Sequence, residues 1–245
     1  MAESESAFAF RMSDTTAATR DAATLVLLRE GGDGPEVLLL ERHLRSDFAG
    51  GALVFPGGTV DTPDRALPSA RWTGRDPAAW QALLGADSPD AALGLMVAAI
   101  RESFEEANIL LARRRGRPLT DTDLADTSFV EARRRLASRE ERFDTRFFVA
   151  PLPEGQSGCC DQIETTALRW ITPAQALAAQ RNGEATVIFP TRRNLAALSA
   201  YDSTNDAWQA ADAGRSDMRR IEPQVVMVNG EPRVLHPDGS EPEAV

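Results

Sequence analysis

Three glutamates, Glu102, Glu105 and Glu106, have the spacing in this chain that points most directly to chemistry. Residues three or four positions apart lie on one face of a helix, so the three carboxylates are expected to project in the same direction. Exposed like charges at this spacing repel each other by a few tenths of a kcal/mol, and a bare solvated acidic face is the alternative interpretation. A divalent cation would turn that repulsion into ligation, because Mg²⁺ and Mn²⁺ prefer carboxylate oxygens. The spacing therefore predicts a site for Mg²⁺ or Mn²⁺.

The helix that would carry these glutamates has a recognisable beginning and end. Ser88 suits the N-cap, and Pro89 suits the first helical position. Asn108 tolerates the left-handed conformation that a helix C-cap often needs. Apolar residues recur between them at helical spacing, namely Leu93, Val97, Ile100 and Phe104. The pattern predicts a core-facing helix from Ser88 to about Asn108, which argues against a merely solvated acidic face.

Strand and helix patterns are interspersed along the rest of the chain without a regular βαβ rhythm. Apolar runs predict strands at 22–29, 36–42, 53–55, 146–151 and 165–171, and a C-terminal hairpin of 224–228 and 233–236 around Asn229-Gly230. Helical signals lie at 78–84, at 129–136, from Thr172 to about Gly183, and from Thr191 to Ala200. We predict a flexible arm over residues 1–20, one α/β domain over 21–201 with an insertion at about 65–88, and a C-terminal extension over 202–245 that contains the hairpin.

Composition narrows the class of protein. Of the 245 residues, 42% are hydrophobic, and 27 basic against 37 acidic residues give a net charge of −10. Such a surface repels nucleic-acid backbones and anionic lipids. The longest uncharged apolar run, Ala91–Ile100, is half a membrane span, and the N-terminus lacks the pattern of a signal peptide. We expect a cytoplasmic protein with no nucleic-acid or membrane partner, and the sequence is compatible with a homodimer.

The two cysteines, Cys159 and Cys160, are adjacent in the chain. Neighbouring cysteines rarely form a good disulfide with each other, because the required geometry strains the peptide between them. With only two histidines in the chain, no structural zinc site of cysteine and histidine ligands is expected. We interpret the pair as an incidental feature of a loop.

The residues around the three glutamates resemble the box of the Nudix hydrolase superfamily, GX5EX7REUXEEXGU, in which U is aliphatic. Gly58 matches the first glycine, and Arg101 with the three glutamates matches the central segment. Asp64 stands where the family has glutamate, and 36 residues separate it from Arg101 instead of the seven of the family pattern. Ser103 replaces the aliphatic residue, and Asn108 replaces the second glycine.

A Nudix branch that includes coenzyme A diphosphatases is similar in having a long insertion inside this box. The phrases VFPGG at 54–58 and RFDTRFF at 142–148 also resemble that branch, and the resemblance spans roughly residues 22–200. It implies an α/β fold, a Nudix-type α/β/α sandwich with a mixed β-sheet. The implied activity is metal-dependent hydrolysis of a nucleoside diphosphate linked to another moiety.

The resemblance also implies roles for individual residues. Glu102, Glu105 and Glu106 would ligate the metal and carry the catalysis. Arg101 would orient these carboxylates through salt bridges, and Asp64 would support the site. Metal would be needed, because a chain with a net charge of −10 otherwise repels a diphosphate.

Further candidates concern the general base and the substrate contacts. The base is either a glutamate of the box or Glu164 from a later loop, for which a surface loop carboxylate is an equal alternative. The backbone at Gly57 and Gly58 is able to approach a phosphate closely. Arg42 and Arg146 are candidate phosphate contacts, although a single arginine is more often a solvated surface charge.

The substrate is the least determined part of the prediction. We expect coenzyme A or an acyl-CoA, with ADP-ribose, NADH or a related dinucleotide as the alternative within enzymes. A catalytically silent Nudix-fold module that binds a nucleotide is a third interpretation, against which the intact glutamates argue. The insertion contains Trp72 and Trp80, which could contact the substrate by stacking on an adenine or by lining an acyl tail. The alternative, which we favour, is that they attach the insertion to the domain.

Overall fold

The computed structural model describes residues 20–44, 50–67, 76–125, 143–160, 162, 165–213, 224–228, 231–235 and 243–244. The strands in these ranges are β1 (Arg20–Gly31), β2 (Gly34–Arg42), β3 (Ala52–Val54), β4 (Gly57–Thr59), β5 (Arg113–Arg114), β6 (Arg117–Pro118), β7 (Phe143–Pro151), β8 (Thr165–Ile171), β9 (Thr186–Val187), β10 (Gln224–Val228), β11 (Glu231–Leu235) and β12 (Glu243–Ala244). The α-helices are α1 (Pro77–Leu84), α2 (Pro89–Ala107), α3 (Asp121–Leu124), α4 (Pro173–Arg181), α5 (Phe189–Leu198) and α6 (Thr204–Asp212), and a 3₁₀ helix covers Thr62–Ala66.

A seven-stranded mixed sheet forms the centre of the fold. β1 pairs in parallel with β7 along one edge, and its other edge pairs antiparallel with β4 and then with β2. β2 also pairs antiparallel with β3 and β8, and β9 adds to β3 in parallel. The short strands β5 and β6 form a hairpin, and β10, β11 and β12 form a three-stranded antiparallel sheet.

The two faces of the central sheet are covered by different helices. Alternate residues of β1 divide between the faces, as the two-residue period of a strand requires, so that Leu25 and Leu27 lie on one side and Val26 and Leu28 on the other. On the first side the sheet packs against α2, and on the second side it packs against α4, α5 and α6. The predicted α/β/α sandwich with a mixed sheet is therefore confirmed.

Helix α2 begins and ends where the sequence predicts. The Ser88 hydroxyl accepts a hydrogen bond from the Ala91 backbone N–H at 3.0 Å, and Pro89 occupies the first turn. Asn108 follows the last helical residue with a φ of 55°, in the left-handed region. The apolar side of the helix is buried against the sheet, because Leu95, Ala98 and Ala99 belong to the core cluster that includes Leu25 and Leu27. Both caps of the helix are confirmed.

One predicted boundary is wrong, and one strand was missed. The strand predicted at 53–55 ends at Val54, before Pro56, but a further strand, β4, follows at Gly57–Thr59 and pairs with Ala22–Thr24 of β1. Glycine permits this pairing, since a Cβ at Gly57 would lie against the Thr24 side chain and 2.8 Å from the Ala23 carbonyl oxygen. Thr191 is not an N-cap, because α5 already begins at Phe189 and Thr191 is buried in its first turn. Pro190 suits that first turn, where its missing N–H has no helical partner to lose.

The insertion between Asp64 and Arg101 is attached to the main core where the structure describes it. Asp76 caps α1 by accepting the Ala78 backbone N–H at 2.9 Å, and α1 packs against α2. The Trp80 ring meets Phe148 of β7 edge to face, with 6.3 Å between ring centroids. These contacts support the interpretation of Trp80 as an attachment of the insertion, whereas Trp72 lies outside the described residues.

The segment after α5 adds a helix that the sequence analysis missed. Helix α6 is capped by Ser203, and the Glu30 carboxylate accepts the Thr204 backbone N–H at 2.7 Å. Ala207 is buried among the core residues on that face of the sheet. The hairpin of β10 and β11 is confirmed, although its turn at Asn229-Gly230 lies outside the described residues. The predicted helix at 129–136 also lies outside them, as does the predicted arm over 1–20 except for Arg20, which begins β1.

Among the described residues, no single helix has the length and apolar composition to cross a membrane. Helices α1 and α2 reach that threshold only as a pair, and they are bent by 87° at their junction. Helix α2 is largely buried inside the domain, as is common for the core helix of a globular protein.

Candidate functional site

Arg101 on α2 is the centre of the candidate site, and each of its five N–H groups has an acceptor. Its Nε and Nη2 donate to the two carboxylate oxygens of Asp64, at 3.0 Å each. Its Nη1 donates to Glu102 at 2.8 Å and to Glu105 at 3.0 Å. Its Nη2 also donates to the Thr59 carbonyl oxygen at 2.7 Å. Because all five donors are used, Arg101 holds carboxylates in place and has no donor left over for a substrate.

Asp64 reaches Arg101 from the 3₁₀ helix at the start of the insertion. Its side chain is 4% exposed and forms the two-oxygen fork that suits a guanidinium. The Asp61 backbone N–H donates to the same carboxylate at 2.8 Å, which orients it. The two residues of this ion pair are 37 positions apart in the sequence, so the insertion leaves them in contact.

Gly57 and Gly58 contact the glutamates of α2 directly. The Gly57 backbone N–H donates to the Glu106 carboxylate at 3.1 Å. A Cβ at Gly58 would collide with the carboxylate of Glu102, so this glycine makes room for a buried charge. The described structure therefore brings the two glycines and the glutamates together at the junction of β4 and α2.

The electrostatics of the site show an excess of buried negative charge. Burial and the neighbouring charge of Glu102 raise the pKa of Glu105 to about 8, against the lowering effect of Arg101. Burial lowers the pKa of Arg101, but its bonds with Asp64 and the charges of Glu102 and Glu105 outweigh burial and raise that pKa above its ordinary value. A protonated Glu105 still has a carbonyl oxygen that accepts from Arg101. One guanidinium thus does not neutralise the three carboxylates around it.

The donor chemistry of the site suits a hard divalent cation. Glu102, Glu105 and Glu106 offer carboxylate oxygens, the ligands preferred by Mg²⁺ and Mn²⁺. The raised pKa of Glu105 indicates that a further positive charge would be stabilising there. Across the described ranges, however, no three acidic, histidine or cysteine side chains already converge on one point in a metal-holding arrangement. Arg101 holds two of the glutamates instead, so their side chains would have to turn towards a cation.

The two departures from the family pattern at the end of α2 are both accommodated. The Asn108 N–H donates to the Phe104 carbonyl oxygen at 3.0 Å, which closes the last turn in the left-handed conformation. Ser103 is fully buried, and its hydroxyl contacts the carbonyl oxygens of Ile100 at 3.0 Å and Ile109 at 2.8 Å. Asn108 therefore adopts the left-handed conformation that the family's glycine permits, and the Ser103 hydroxyl is satisfied by backbone acceptors although it is buried.

The remaining predicted site residues lie elsewhere or outside the description. Arg42 is at the end of β2, where its carbonyl oxygen accepts the Gly51 N–H at 3.1 Å. Arg146 on β7 forms an ion pair with Asp144 at 2.6 Å and lines a polar cleft beside the junction of α1 and α2. Glu164 lies outside the described residues, so its role as general base stays a prediction.

Two groups that belong to the site environment were missed by the sequence analysis. The Thr59 carbonyl oxygen accepts from Arg101, and a backbone acceptor has no signal in the residue type. Gln156 is 5% exposed and bonds the backbone just after α2. In the sequence Gln156 is an isolated polar residue in a loop, and such a residue gives no indication that it is buried.

Comparison with known proteins identifies the class. A model of the NUDIX domain matches residues 18–190, well over half of the chain. The chain therefore belongs to the Nudix hydrolase family, enzymes that act on nucleoside diphosphates linked to another moiety. The predicted resemblance and the prediction of an enzyme are confirmed.

The individual proteins that resemble this chain are distant relatives. The acyl-coenzyme A diphosphatase NUDT19 of Gallus gallus is 38% identical over 105 residues, which cover 34% of this chain and only 27% of that protein. The crystal structure of a NUDIX hydrolase from Alicyclobacillus acidocaldarius has a TM-score of 0.61 and 28% identity, covering 79% of this chain and 97% of that one. The NUDIX domain of Shewanella oneidensis NrtR, complexed with ADP ribose, has a TM-score of 0.40 and 14% identity over 73% of this chain and 85% of that one, and at this level it carries no inference about ligands.

Proposed function

We propose that this Nudix hydrolase cleaves the diphosphate of coenzyme A or an acyl-CoA with the help of Mg²⁺ or Mn²⁺. The observation that carries the metal requirement is the cluster of carboxylates around Arg101, in which the pKa of Glu105 is raised to about 8 by burial and by Glu102. Buried charges of one sign are costly unless a partner is added. A diphosphate is anionic as well, so the acidic site and its substrate both call for a cation.

In this proposal each residue of the site has a separate task. Glu102, Glu105 and Glu106 would hold the cation, which would supply charge neutralisation of the diphosphate and activation of a water molecule. Arg101 and Asp64 orient the glutamates, as their buried bonds suggest. The bond from the Gly57 N–H to Glu106 keeps that carboxylate beside β4.

Proton transfer and substrate binding are further parts of the proposal. Glu164 is proposed as general base because it precedes β8, and a glutamate of the box is the alternative. Arg42 and Arg146 are proposed to bind the anionic parts of the substrate. For Arg146 this requires exchange of its ion pair with Asp144, which is only partly buried and therefore weakly held.

The choice of coenzyme A rests on the relative named as an acyl-CoA diphosphatase, together with the insertion inside the box. The match to that relative is partial, since the chain covers about a quarter of its length. The described part of the insertion packs on the core through α1, so we propose that the insertion supports the domain rather than contacting the reacting diphosphate.

The test is product analysis by liquid chromatography and mass spectrometry on coenzyme A, acetyl-CoA, ADP-ribose and NADH, each with Mg²⁺ or Mn²⁺. Water added across the diphosphate of coenzyme A should give 3′,5′-ADP and 4′-phosphopantetheine. Preference for ADP-ribose or NADH would overturn the substrate, and release of inorganic phosphate or diphosphate would overturn the bond cleaved.

A pair of variants links the activity to the site. Glu105→Gln should abolish turnover, whereas Glu184→Gln, an exposed glutamate after α4, should leave it unchanged. Equal activity in both variants would show that the carboxylates around Arg101 do not carry the reaction.

A further inference from the structure

The last turn of α2, which carries Glu105 and Glu106, is held by a segment far along the chain. The final carbonyl groups of a helix have no partner within it. Here the Ala107 carbonyl oxygen accepts the Cys159 backbone N–H at 2.8 Å. Gly158, with a φ of 81°, allows this approach, because a Cβ there would lie 3.0 Å from the same carbonyl oxygen. The end of α2 is therefore capped from outside.

Gln156, in the same segment, holds the backbone that follows the helix. Its Oε1 accepts the Leu110 N–H at 2.8 Å, and its Nε2 donates to the carbonyl oxygens of Leu110 at 3.0 Å and Leu119 at 2.8 Å. Ser103 holds the intervening residue from the other side, since its hydroxyl donates to the Ile109 carbonyl oxygen at 2.8 Å. Gln156 is 5% exposed and Ser103 is fully buried, so water does not substitute for these bonds.

The segment that contains Gln156 is itself anchored. The Ser157 hydroxyl and backbone N–H donate to Asp121 at 2.6 Å and 3.1 Å, and the Asp121 N–H donates to the Gly155 carbonyl oxygen at 2.9 Å. A loop tied down on both sides gives the end of α2 a rigid support.

We propose that Gln156 and Ser103 are positioning residues for the proposed metal ligands Glu105 and Glu106. This inference rests on the proposed function. The two side chains, with the Cys159 N–H, form a clamp that stops the last helical turn from fraying. Without the clamp the turn opens locally, and the backbone that carries the two glutamates is held less firmly in the position from which their carboxylates reach a cation. Neither Gln156 nor Ser103 touches the cation or the substrate.

The experiment compares Gln156→Met, which keeps the side-chain size but loses all three bonds, with Val187→Ala, a core variant on the opposite face of the sheet. Mn²⁺ affinity is measured by titration calorimetry, and metal and nucleotide dependences are measured separately in the assay. We expect Mn²⁺ binding about tenfold weaker in Gln156→Met, with the nucleotide KM within twofold at saturating metal. Val187→Ala should lose thermal stability without losing Mn²⁺ affinity. Ser103→Ala tests the same clamp if Gln156→Met does not fold.

Hydrogen exchange gives a readout that needs no metal. The amides of residues 105–110 should exchange faster in Gln156→Met than in the wild type, while those of β2 stay protected. Mn²⁺ affinity within twofold of wild type in a folded clamp variant would overturn the positioning role. If the wild-type protein binds no Mn²⁺, the proposed function fails, and unchanged exchange at Glu105 and Glu106 would then overturn the clamp separately.

Discussion

Replacing Arg101 by methionine should destabilise the protein severely, for a reason visible in its contacts. The change removes the guanidinium that bonds Asp64, Glu102 and Glu105, whose side chains are between 4% and 11% exposed. It also leaves the Thr59 carbonyl oxygen without this donor. The methionine fills the space but offers nothing to a carboxylate.

The size of the effect follows from burial. Removing one partner of a buried ion pair costs about 3–5 kcal/mol, because the other charge is left without compensation. Three carboxylates share Arg101, but Glu105, whose pKa is raised to about 8, can take up a proton, so the loss should stay within this range rather than triple. For a chain of this length it corresponds to a fall in Tm of roughly 6–20 °C.

The assay is urea unfolding followed by circular dichroism, with Arg169→Met as the matched control. Arg169 also pairs with a glutamate, Glu41, at 2.7 Å, but it is 53% exposed, so its loss should cost below about 1 kcal/mol. The loss in free energy of unfolding caused by Arg101→Met should become smaller as the pH is lowered, because protonated carboxylates no longer need the Arg101 guanidinium. Added Mg²⁺ should recover part of the stability. A loss for Arg101→Met no larger than for Arg169→Met would refute the reasoning.

The other predictions concern the carboxylates themselves. Glu106→Gln keeps the side-chain size and an acceptor for the Gly57 N–H, so calorimetry should show an unchanged or higher Tm while turnover falls about a hundredfold or more; activity within a few-fold of wild type would leave Glu106 a structural residue. Gly58→Ala pushes on the Glu102 carboxylate, and titration should show about tenfold weaker Mn²⁺ binding, whereas equal binding would contradict the close approach. Because the pKa of Glu105 is about 8, a metal ion that binds below that pH must displace a proton from this carboxyl group. The Mg²⁺ affinity should therefore rise by up to about tenfold per pH unit until about pH 8 and then level off. An affinity that does not change with pH would exclude Glu105 as a ligand. EDTA should abolish hydrolysis and added Mg²⁺ should restore it, and full turnover in chelator would exclude a metal-dependent reaction.

The elements that could be predicted are those with local signals. The caps of α2 at Ser88 and Asn108 have side chains or backbone preferences that act within one turn, so their residue types are sufficient. The same holds for Thr172, whose hydroxyl accepts the Gln175 N–H at 3.2 Å at the start of α4. The three glutamates share a helix face for an equally local reason.

The contacts that could not be predicted are those between distant residues. A proline followed by two glycines does not predict a new strand. In the folded chain, however, Gly57–Thr59 pair with Ala22–Thr24 of β1, and this pairing forms β4. The bonds of Gln156 to Leu110 likewise depend on a loop returning to the end of α2, across 46 positions. Such contacts are consequences of the assembled sheet and helices, and no short window of sequence contains them.

The insertion illustrates how far a family pattern can stretch while the site is kept. Lengthening the connection between Asp64 and Arg101 from seven residues to 36 adds only about 1.5 kcal/mol of loop-closure entropy, since that cost grows with the logarithm of length. Breaking the buried pair would cost about 3–5 kcal/mol, so the pair outweighs the longer loop. The shorter side chain of aspartate is accommodated because the 3₁₀ helix brings its backbone to Arg101, where both carboxylate oxygens reach the guanidinium at 3.0 Å. Extra chain at this point therefore disturbs the site little as long as both ends of the insertion stay anchored.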